Sequence, residues 1–539
     1  MRIASINIAN YRCFQSLSLR PKEGLNTMVG ENSVGKSAVF SAISQLLLQT
    51  GGETAFTQDD LRYGKLGEGS TVRIELALDL DEQRELIYRL LPQPLNATKA
   101  AIIHERMAPF LNNAEVRFDW KEAVRRSYIK LGPMHIFGNK ASSEIVQGGQ
   151  TSKLEKLLNT LISDTATFED LLANRDFWQA QDVEKRIGNL LSDRFRIFSE
   201  FRSRPRSSGR STNLESFEGS DTASVLLNLK NHADARERAR YTAIYSEFSD
   251  FFPHLTFEAV ETQPGGQIAD VQFVERGQDY AIPLSNVGAG VAELLTLLTN
   301  LVARQGYVLV IEEPELHLHP QAKRRLQEMV RESAVDNQLF VITHDPCFVD
   351  PDHLHTLTRF WATDLGTKKA SLAPSITRKT IGQLQTAMRG VANREMLFAR
   401  ALLLVEDESQ MNIILGFART LRQDLDSAGV SVVSVDGHDG FAPYVRLAKS
   451  FQIPYLCFRD LPWGSPGMVP RKLFRALGCE LERFINDAGL GSLMDEGREA
   501  VGTSKRRVAK YVGQHATADQ VPEVFSTLIA DAMMLAQNR

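Results

Sequence analysis

The order of apolar and polar positions divides this chain into an α/β stretch that carries a mainly helical insertion and a second α/β stretch after it. Met1 to Ile8 alternates apolar and polar residues with a period of two, the pattern of a half-buried strand. Gly24 to Val29 reads as a second strand and Ala38 to Ile43 as a helix. Tyr307 to Ile311 and Leu339 to Ile342 are unbroken apolar runs, as expected of parallel strands covered on both faces. Lys153 to Ile162 and Phe168 to Leu191 carry helical periodicity, so residues from about 150 to 250 are expected to be mostly helical. The polar run Arg202 to Arg210 breaks that region as a loop. From about residue 396 a second α/β pattern begins, with strands at Phe398 to Val405, Val430 to Val435 and Ile453 to Phe458. The expected fold is α/β with two domains, 1–395 (carrying the helical insertion) and 396–539.

Composition narrows the class. A chain of 539 residues with 43% hydrophobic and 24% charged residues is of ordinary globular make-up. No apolar run is long enough to span a bilayer, and the N-terminus lacks a signal-peptide core. Cys13, Cys347, Cys457 and Cys479 are scattered without C-x-x-C spacing, which points to a reducing, cytoplasmic setting without a disulfide framework. With a net charge of −4, nucleic-acid contacts would have to come from local basic clusters. Candidates are Arg202 to Arg206, Lys323 to Arg325, Arg471 with Lys472, and Lys505 to Arg507; each could equally be a solvated surface patch.

Gly30-Glu31-Asn32-Ser33-Val34-Gly35-Lys36-Ser37 has the spacing of a phosphate-binding loop and lies between an expected strand and helix. Its glycines allow successive backbone N–H groups to face phosphate oxygens. Lys36 supplies charge to the β- and γ-phosphates, and the Ser37 hydroxyl can ligate Mg²⁺. The apolar run ending at Ile311 delivers Glu312 and Glu313. In that setting Glu312 suits the metal and Glu313 the polarisation of attacking water. His344 ends the next apolar run and is placed to contact the γ-phosphate. Leu284 to Leu294 is a serine–glycine turn opening a helix, able to bind phosphate held by a second copy of the chain.

Together these motifs resemble the ABC-type ATPase head of the SMC/RecF superfamily. Gly30 to Ser37 matches Walker A, Val308 to Glu313 Walker B, Leu284 to Glu293 the signature motif and Leu316 to Pro320 the D-loop, and His344 matches the switch histidine. Ile8 to Phe14 is similar to the superfamily's opening motif, with Arg12 in it. The resemblance implies ATP and Mg²⁺ as cofactors, with Arg12, Asn32, Gly35, Lys36, Ser37, a Q-loop residue Gln58, Ser285, Gly288 and Glu312 around the nucleotide. It also implies a head-to-head homodimer or higher oligomer in which each signature turn completes the partner's site.

The C-terminal strands end in Glu406, Asp436 and Asp460, an arrangement suited to Mg²⁺ and phosphoryl chemistry but also to a plain α/β domain with exposed acids. This unit resembles a TOPRIM domain, and the whole chain is similar to the OLD (overcoming lysogenization defect) family, in which an ABC head is fused to a TOPRIM nuclease. The resemblance assigns Glu406, Asp460 and Glu482 to metal (Mg²⁺, with Mn²⁺ as an alternative) and Lys505 to the scissile phosphate. It implies a DNA endonuclease regulated by ATP, anti-phage defence, and a helicase or effector protein as a further partner class. Three family positions differ: Asp407 replaces a glycine, Gln410 a glutamate and Pro462 the second aspartate of D-x-D. These losses leave a second expectation open, an ATPase sensor whose TOPRIM unit is catalytically inactive and restrains a partner. A membrane transporter ATPase does not fit the fused C-terminal unit.

Overall fold

The computed structural model describes residues 1–50, 60, 70–79, 82, 105, 113–121, 124–131, 134–138, 193–198, 222–261, 269–372, 376–437, 440–461 and 473–537. Two compact units emerge, Met1–Asn26 with Gly35–Thr343, and Thr27–Val34 with His344–Arg539.

In the first unit, β1 (Arg2–Tyr11) and β2 (Phe14–Leu19) form an antiparallel hairpin with Tyr11 opposite Phe14. Its tight turn puts Arg12 in the left-handed region, at φ 43. Strand β3 (Leu25–Gly30), which from Thr27 on belongs to the second unit, leads to the phosphate loop, and α1 (Lys36–Thr50) of the first unit leaves it. Strand β4 (Ser70–Ala77) pairs antiparallel with β1, and its alternate residues Val72, Ile74 and Leu76 are buried. The antiparallel sheet continues through β5 (Asn113–Lys121), β6 (Val124–Leu131) and β7 (Met134–Gly138), in the order β2-β1-β4-β5-β6-β7.

The region expected to be helical contains a strand, β8 (Phe195–Phe198). A four-residue segment has no period of its own, and tertiary pairing decides its state. Helices α2 (Thr222–Lys230) and α3 (Ala235–Phe251) follow, and residues 150–192 and 199–221 lie outside the described residues. The Asp234 side chain caps α3 by accepting the Arg236 N–H. A small antiparallel sheet, β9 (Leu255–Glu261), β10 (Ala269–Glu275) and β11 (Ala281–Pro283), packs under these helices. Phe248 of α3 meets Phe257 edge-on at 5.0 Å between ring centroids.

Helix α4 (Ala289–Ala303) starts at Gly288 and buries Leu294, Leu295, Leu297, Leu298 and Leu301. Strand β12 (Val308–Glu312) is buried along its whole length and runs parallel to β8 on one side. After α5 (Pro320–Ser333), β13 (Gln338–Ile342) lies parallel to β12 on the other side. The unbroken apolar runs are therefore doubly covered parallel strands, as their pattern requires.

In the second unit, β14 (Leu357–Trp361) runs parallel to β3, with Arg359 opposite Val29 and Phe360 opposite Gly30. Strand β15 (Lys368–Ser371) pairs antiparallel with β14. Helices α6 (Arg378–Ala387) and α7 (Val391–Arg394) lead to a four-stranded parallel sheet. Its strands are β16 (Ala401–Val405), β17 (Val430–Ser434), β18 (Tyr455–Arg459) and β19 (Phe474–Ala476), in the order β17-β16-β18-β19. The connecting helices are α8 (Glu408–Thr420) and α9 (Phe441–Ser450); α10 (Leu481–Ile485), α11 (Gly491–Val501), α12 (Lys505–His515) and α13 (Glu523–Gln537) follow the last strand.

Strand β16 shows why this sheet is apolar throughout. Ala401, Leu403 and Val405 join a core with α8, α12 and α13, while Leu402 and Leu404 join another with α9. The second core also takes in Val29 of β3 and Leu357 of β14. The phosphate-loop strand and the C-terminal sheet thus share one apolar interior within this unit.

Candidate functional sites

The phosphate loop is shaped by local constraints. Gly30 has φ 140, and a Cβ there would lie 2.1 Å from the Phe360 carbonyl oxygen. Gly35 has φ 92, and a Cβ there would lie 2.2 Å from Cys13 Sγ. Side chains at these positions would collide with neighbours and strain the backbone. Gly35→Ala is expected to destabilise the first unit by about 1–3 kcal/mol and to weaken nucleotide binding; thermal unfolding and equilibrium binding of labelled ATP would check it. Asn32, Ser33 and Ser37 are exposed at the loop, and Lys36 is buried at the start of α1.

Arg12 is fixed near this region by Asp60, whose Oδ1 accepts from Arg12 Nε at 2.9 Å and Nη2 at 2.7 Å. Gln58 lies outside the described residues. At the end of β12, Glu312 is buried and Glu313 turns into the left-handed region at φ 45, its N–H donating to Ile342 O. A non-glycine residue at positive φ stores strain that is common where a side chain must be aimed. Glu315 accepts the Thr343 hydroxyl at 2.6 Å, which ties the segment after β12 to the end of β13. His344 follows directly and is half-buried.

The signature turn is exposed at Ser285 and Gly288. Behind it, Glu293 of α4 pairs with His317 Nδ1 at 3.2 Å, so the residues after β12 are joined to the signature helix. Of the basic clusters, Lys323 to Arg325 is partly engaged, because Arg325 forks onto Glu247 at 2.7 Å. Arg202 to Arg206, Arg471 and Lys472 lie outside the described residues.

The C-terminal acids sit at the topological switch of their sheet. The chain passes from β16 to β17 on one side, then to β18 on the other, which opens a crevice beyond the strand ends. Glu406 follows β16 and Asp460 follows β18, and the Asp460 N–H donates to Glu406 Oε2 at 3.2 Å. Sequence reasoning noted Gln410 only as a lost charge. Its Nε2 donates to Asp460 Oδ1 at 2.6 Å, and its Oε1 accepts the Glu406 N–H at 2.9 Å. Asp407, at the usual glycine position, is the N-cap of α8 and accepts the Gln410 N–H. The two substitutions thus belong to one hydrogen-bonded turn.

Asp460 Oδ2 accepts the Leu481 N–H at 3.1 Å. Burial pushes the Asp460 carboxyl above its ordinary range, the hydrogen bonds from Gln410 and Leu481 oppose that, and Glu406 and Asp407 reinforce it. Arg459, almost fully buried, lies with Nε 3.7 Å from Glu406 Oε2. This cation was missed in the sequence; its signal is an arginine closing an otherwise apolar strand. Glu482 pairs with Lys505 at 2.8 Å, which raises the Lys505 pKa first through that hydrogen bond. Glu408 pairs with Arg506 at 2.6 Å, and Asp436 is exposed at φ 57. Among the described residues no three His, Cys, Asp or Glu side chains converge as a metal cage. Glu406 and Asp460 present carboxylate oxygens, the donor type that hard cations take.

Within this unit the phosphate loop is tied directly to β16. Arg359 is fully buried and donates to Leu397 O at 2.8 Å, Ala399 O at 2.5 Å and Phe451 O at 3.5 Å. Glu31 of the loop pairs with Arg400 at 2.8 Å, one residue before β16. The Thr367 hydroxyl donates to Val34 O at 2.8 Å.

Comparison with known proteins gives three family matches. Residues 1–106 match an AAA ATPase domain, and 138–350 match an AAA domain described as a putative AbiEii toxin of a type IV toxin–antitoxin system. Residues 397–461 match the TOPRIM domain of overcoming lysogenization defect protein-like sequences. The chain is 26% identical over 238 residues to an uncharacterised Methanocaldococcus jannaschii protein, covering 43% of this chain and 28% of that one. It is 28% identical over 218 residues to the OLD nuclease of Thermus scotoductus, covering 36% and 39%. It is 22% identical over 472 residues to the Old nuclease of Escherichia phage P2, covering 81% and 73%. The first two alignments thus span less than half of those relatives. No described helix is long and apolar enough to cross a membrane. With ATPase matches followed by a TOPRIM match, in the order of its two sites, and with OLD nucleases among its relatives, the chain is similar to proteins of the OLD family.

Proposed function

We propose that this protein hydrolyses ATP and cuts DNA with a divalent metal, and that nucleotide at the phosphate loop controls the cutting. Lys36 and Ser37 hold the triphosphate and its Mg²⁺, Glu312 supports that metal, and Glu313 takes a proton from the attacking water. His344 contacts the γ-phosphate, and Ser285 and Gly288 complete the site of a second copy in a homodimer. At the C-terminal centre Glu406 and Asp460 would hold Mg²⁺ or Mn²⁺, and that cation would supply a more acidic water and charge neutralisation at the phosphate. Gln410 orients Asp460, and Lys505 faces the DNA phosphate in exchange with Glu482. The setting is cytoplasmic and the role anti-phage defence, with a helicase or effector protein as a further partner.

The observation that carries this reading is the Glu406–Asp460 pair at the switch point of a parallel sheet, in the same unit as the phosphate-loop strand. Plasmid nicking in Mg²⁺ or Mn²⁺, with and without ATP, tests it. Nicking that disappears in Glu406→Ala and changes with ATP is expected. Well-folded protein that cuts under no metal or nucleotide condition rejects the nuclease, and cutting indifferent to ATP rejects the control.

Gln410 and Arg459 favour one other reading. They hold the acids in place while lowering the net negative charge around a metal. In that reading the TOPRIM unit is an inactive platform restraining a partner. Phage protection lost in Lys36→Ala and kept in Glu406→Ala would select it.

A pH dependence follows from Asp460. Its raised pKa means that its ionised form is disfavoured by folding, so its contribution to stability is present at low pH and lost as pH rises through the folded value. At neutral pH Asp460→Asn is therefore expected to raise the melting temperature while weakening Mn²⁺ binding. In the native protein Mn²⁺ binding should fade on acidification at a higher pH than for an ordinary aspartate near 3.8. Thermal unfolding and Mn²⁺ electron paramagnetic resonance read the two effects.

A further inference from the structure

Beside the Glu406–Asp460 pair lies a cleft of about 290 Å³ between α8, α10, α11 and α12. Its walls are apolar, formed by Ile413, Leu481, Ile485, Met494, Val508 and Val512. Its rim is charged, with Glu480, Glu482, Arg498 and Lys505. Ser409 lines it as well and is 6% exposed. A hydroxyl in such a wall can donate to or accept from the polar edge of a ligand.

The position of the cleft relative to the acids is fixed on two sides. Ser409 precedes Gln410, which holds Asp460 Oδ1, and the Leu481 N–H holds Asp460 Oδ2. A chain bound at the acids would therefore have its neighbouring group at the mouth of the cleft. The volume lies at the small end of ligand clefts, enough for one planar ring system. Apolar walls with a few polar groups at the edge are what an unstacked base requires. The rim also divides the work, since Lys505 suits a phosphate and a carboxylate accepts from an exocyclic amino group.

We propose that this cleft takes one amino-bearing nucleobase of a single strand whose phosphate lies at the Glu406–Asp460 pair. The proposal rests on the nucleic-acid reading above and adds a base-binding subsite to it. Its occupancy gives the site a preference for adenine or cytosine over thymine next to the phosphate.

The test uses the full chain with Ca²⁺ and a short thymidine oligonucleotide carrying 2-aminopurine at intervals and a terminal dye. Dye anisotropy reads binding, and 2-aminopurine emission reads unstacking of the base, so neither depends on cleavage. Binding with a several-fold rise in emission is expected. Met494→Trp, which fills the cleft, should remove the rise and weaken binding several-fold; Ser409→Ala, which keeps the packing, should reduce the rise. Binding without a change in emission, or variants that behave like the native chain, overturns the subsite and leaves the nucleic-acid reading standing. An absence of any binding overturns both. Should Met494→Trp fail to fold by circular dichroism, Ser409→Ala decides alone.

Discussion

Replacing Lys36 with alanine is expected to abolish ATP turnover. Lys36 is buried at the first residue of α1, and the start of a helix favours an anion. Alanine keeps the helix and removes the point charge that meets the β- and γ-phosphates. Loss of one preorganised electrostatic partner in a water-poor site costs about 10²–10³ in rate, and here ground-state binding should fall as well. Phosphate release and equilibrium binding of labelled ATP would measure both. Turnover within threefold of the native chain would remove Lys36 from the nucleotide site.

The largest effect on stability is expected from Arg359→Met. The methionine keeps much of the stem volume but leaves the Leu397, Ala399 and Phe451 carbonyls without the guanidinium. Hydrogen bonds to a charged group contribute roughly 1.5–3 kcal/mol each, and a buried acceptor left without its donor carries a further desolvation cost. The native arginine had itself to be desolvated, which offsets part of this. A net loss of about 3–5 kcal/mol is a reasonable expectation for breaking a buried charged network. Chemical denaturation followed by circular dichroism would measure it. Because β14 also carries β3 as its parallel partner, nucleotide binding should weaken in the same variant. A change below about 1 kcal/mol would mean that water reaches those carbonyls.

The strand and helix around the phosphate loop, the strand ending at Glu312, and the strands that precede Glu406 and Asp460 were legible in the sequence. Each is written over a few consecutive positions, where residue type and backbone conformation are coupled locally. The doubly covered strands were legible too, because burial on both faces leaves an unbroken apolar run. What escaped depends on residues far apart in the chain. Phe195 to Phe198 becomes a strand only because β12 is there to pair with it. Phe474 to Ala476 becomes the fourth strand of its sheet only beside β18. Gln410 could be read as a missing charge, but its bond to Asp460 needs α8 and β18 side by side. Arg359, between Thr358 and Phe360, carries no local sign of its carbonyl partners, which lie 38, 40 and 92 residues further along the chain.

The pairing of β3 with β14 has a consequence for how the protein is made. A ribosome delivers the amino-terminal half first, and domains generally fold as they emerge. Here the strand that ends in the phosphate loop must wait for a partner encoded far downstream, so loop closure over a long separation precedes its final register. Nascent chains stopped before residue 357 should therefore be unable to retain nucleotide, and a competent grip on ATP should arise only late in translation.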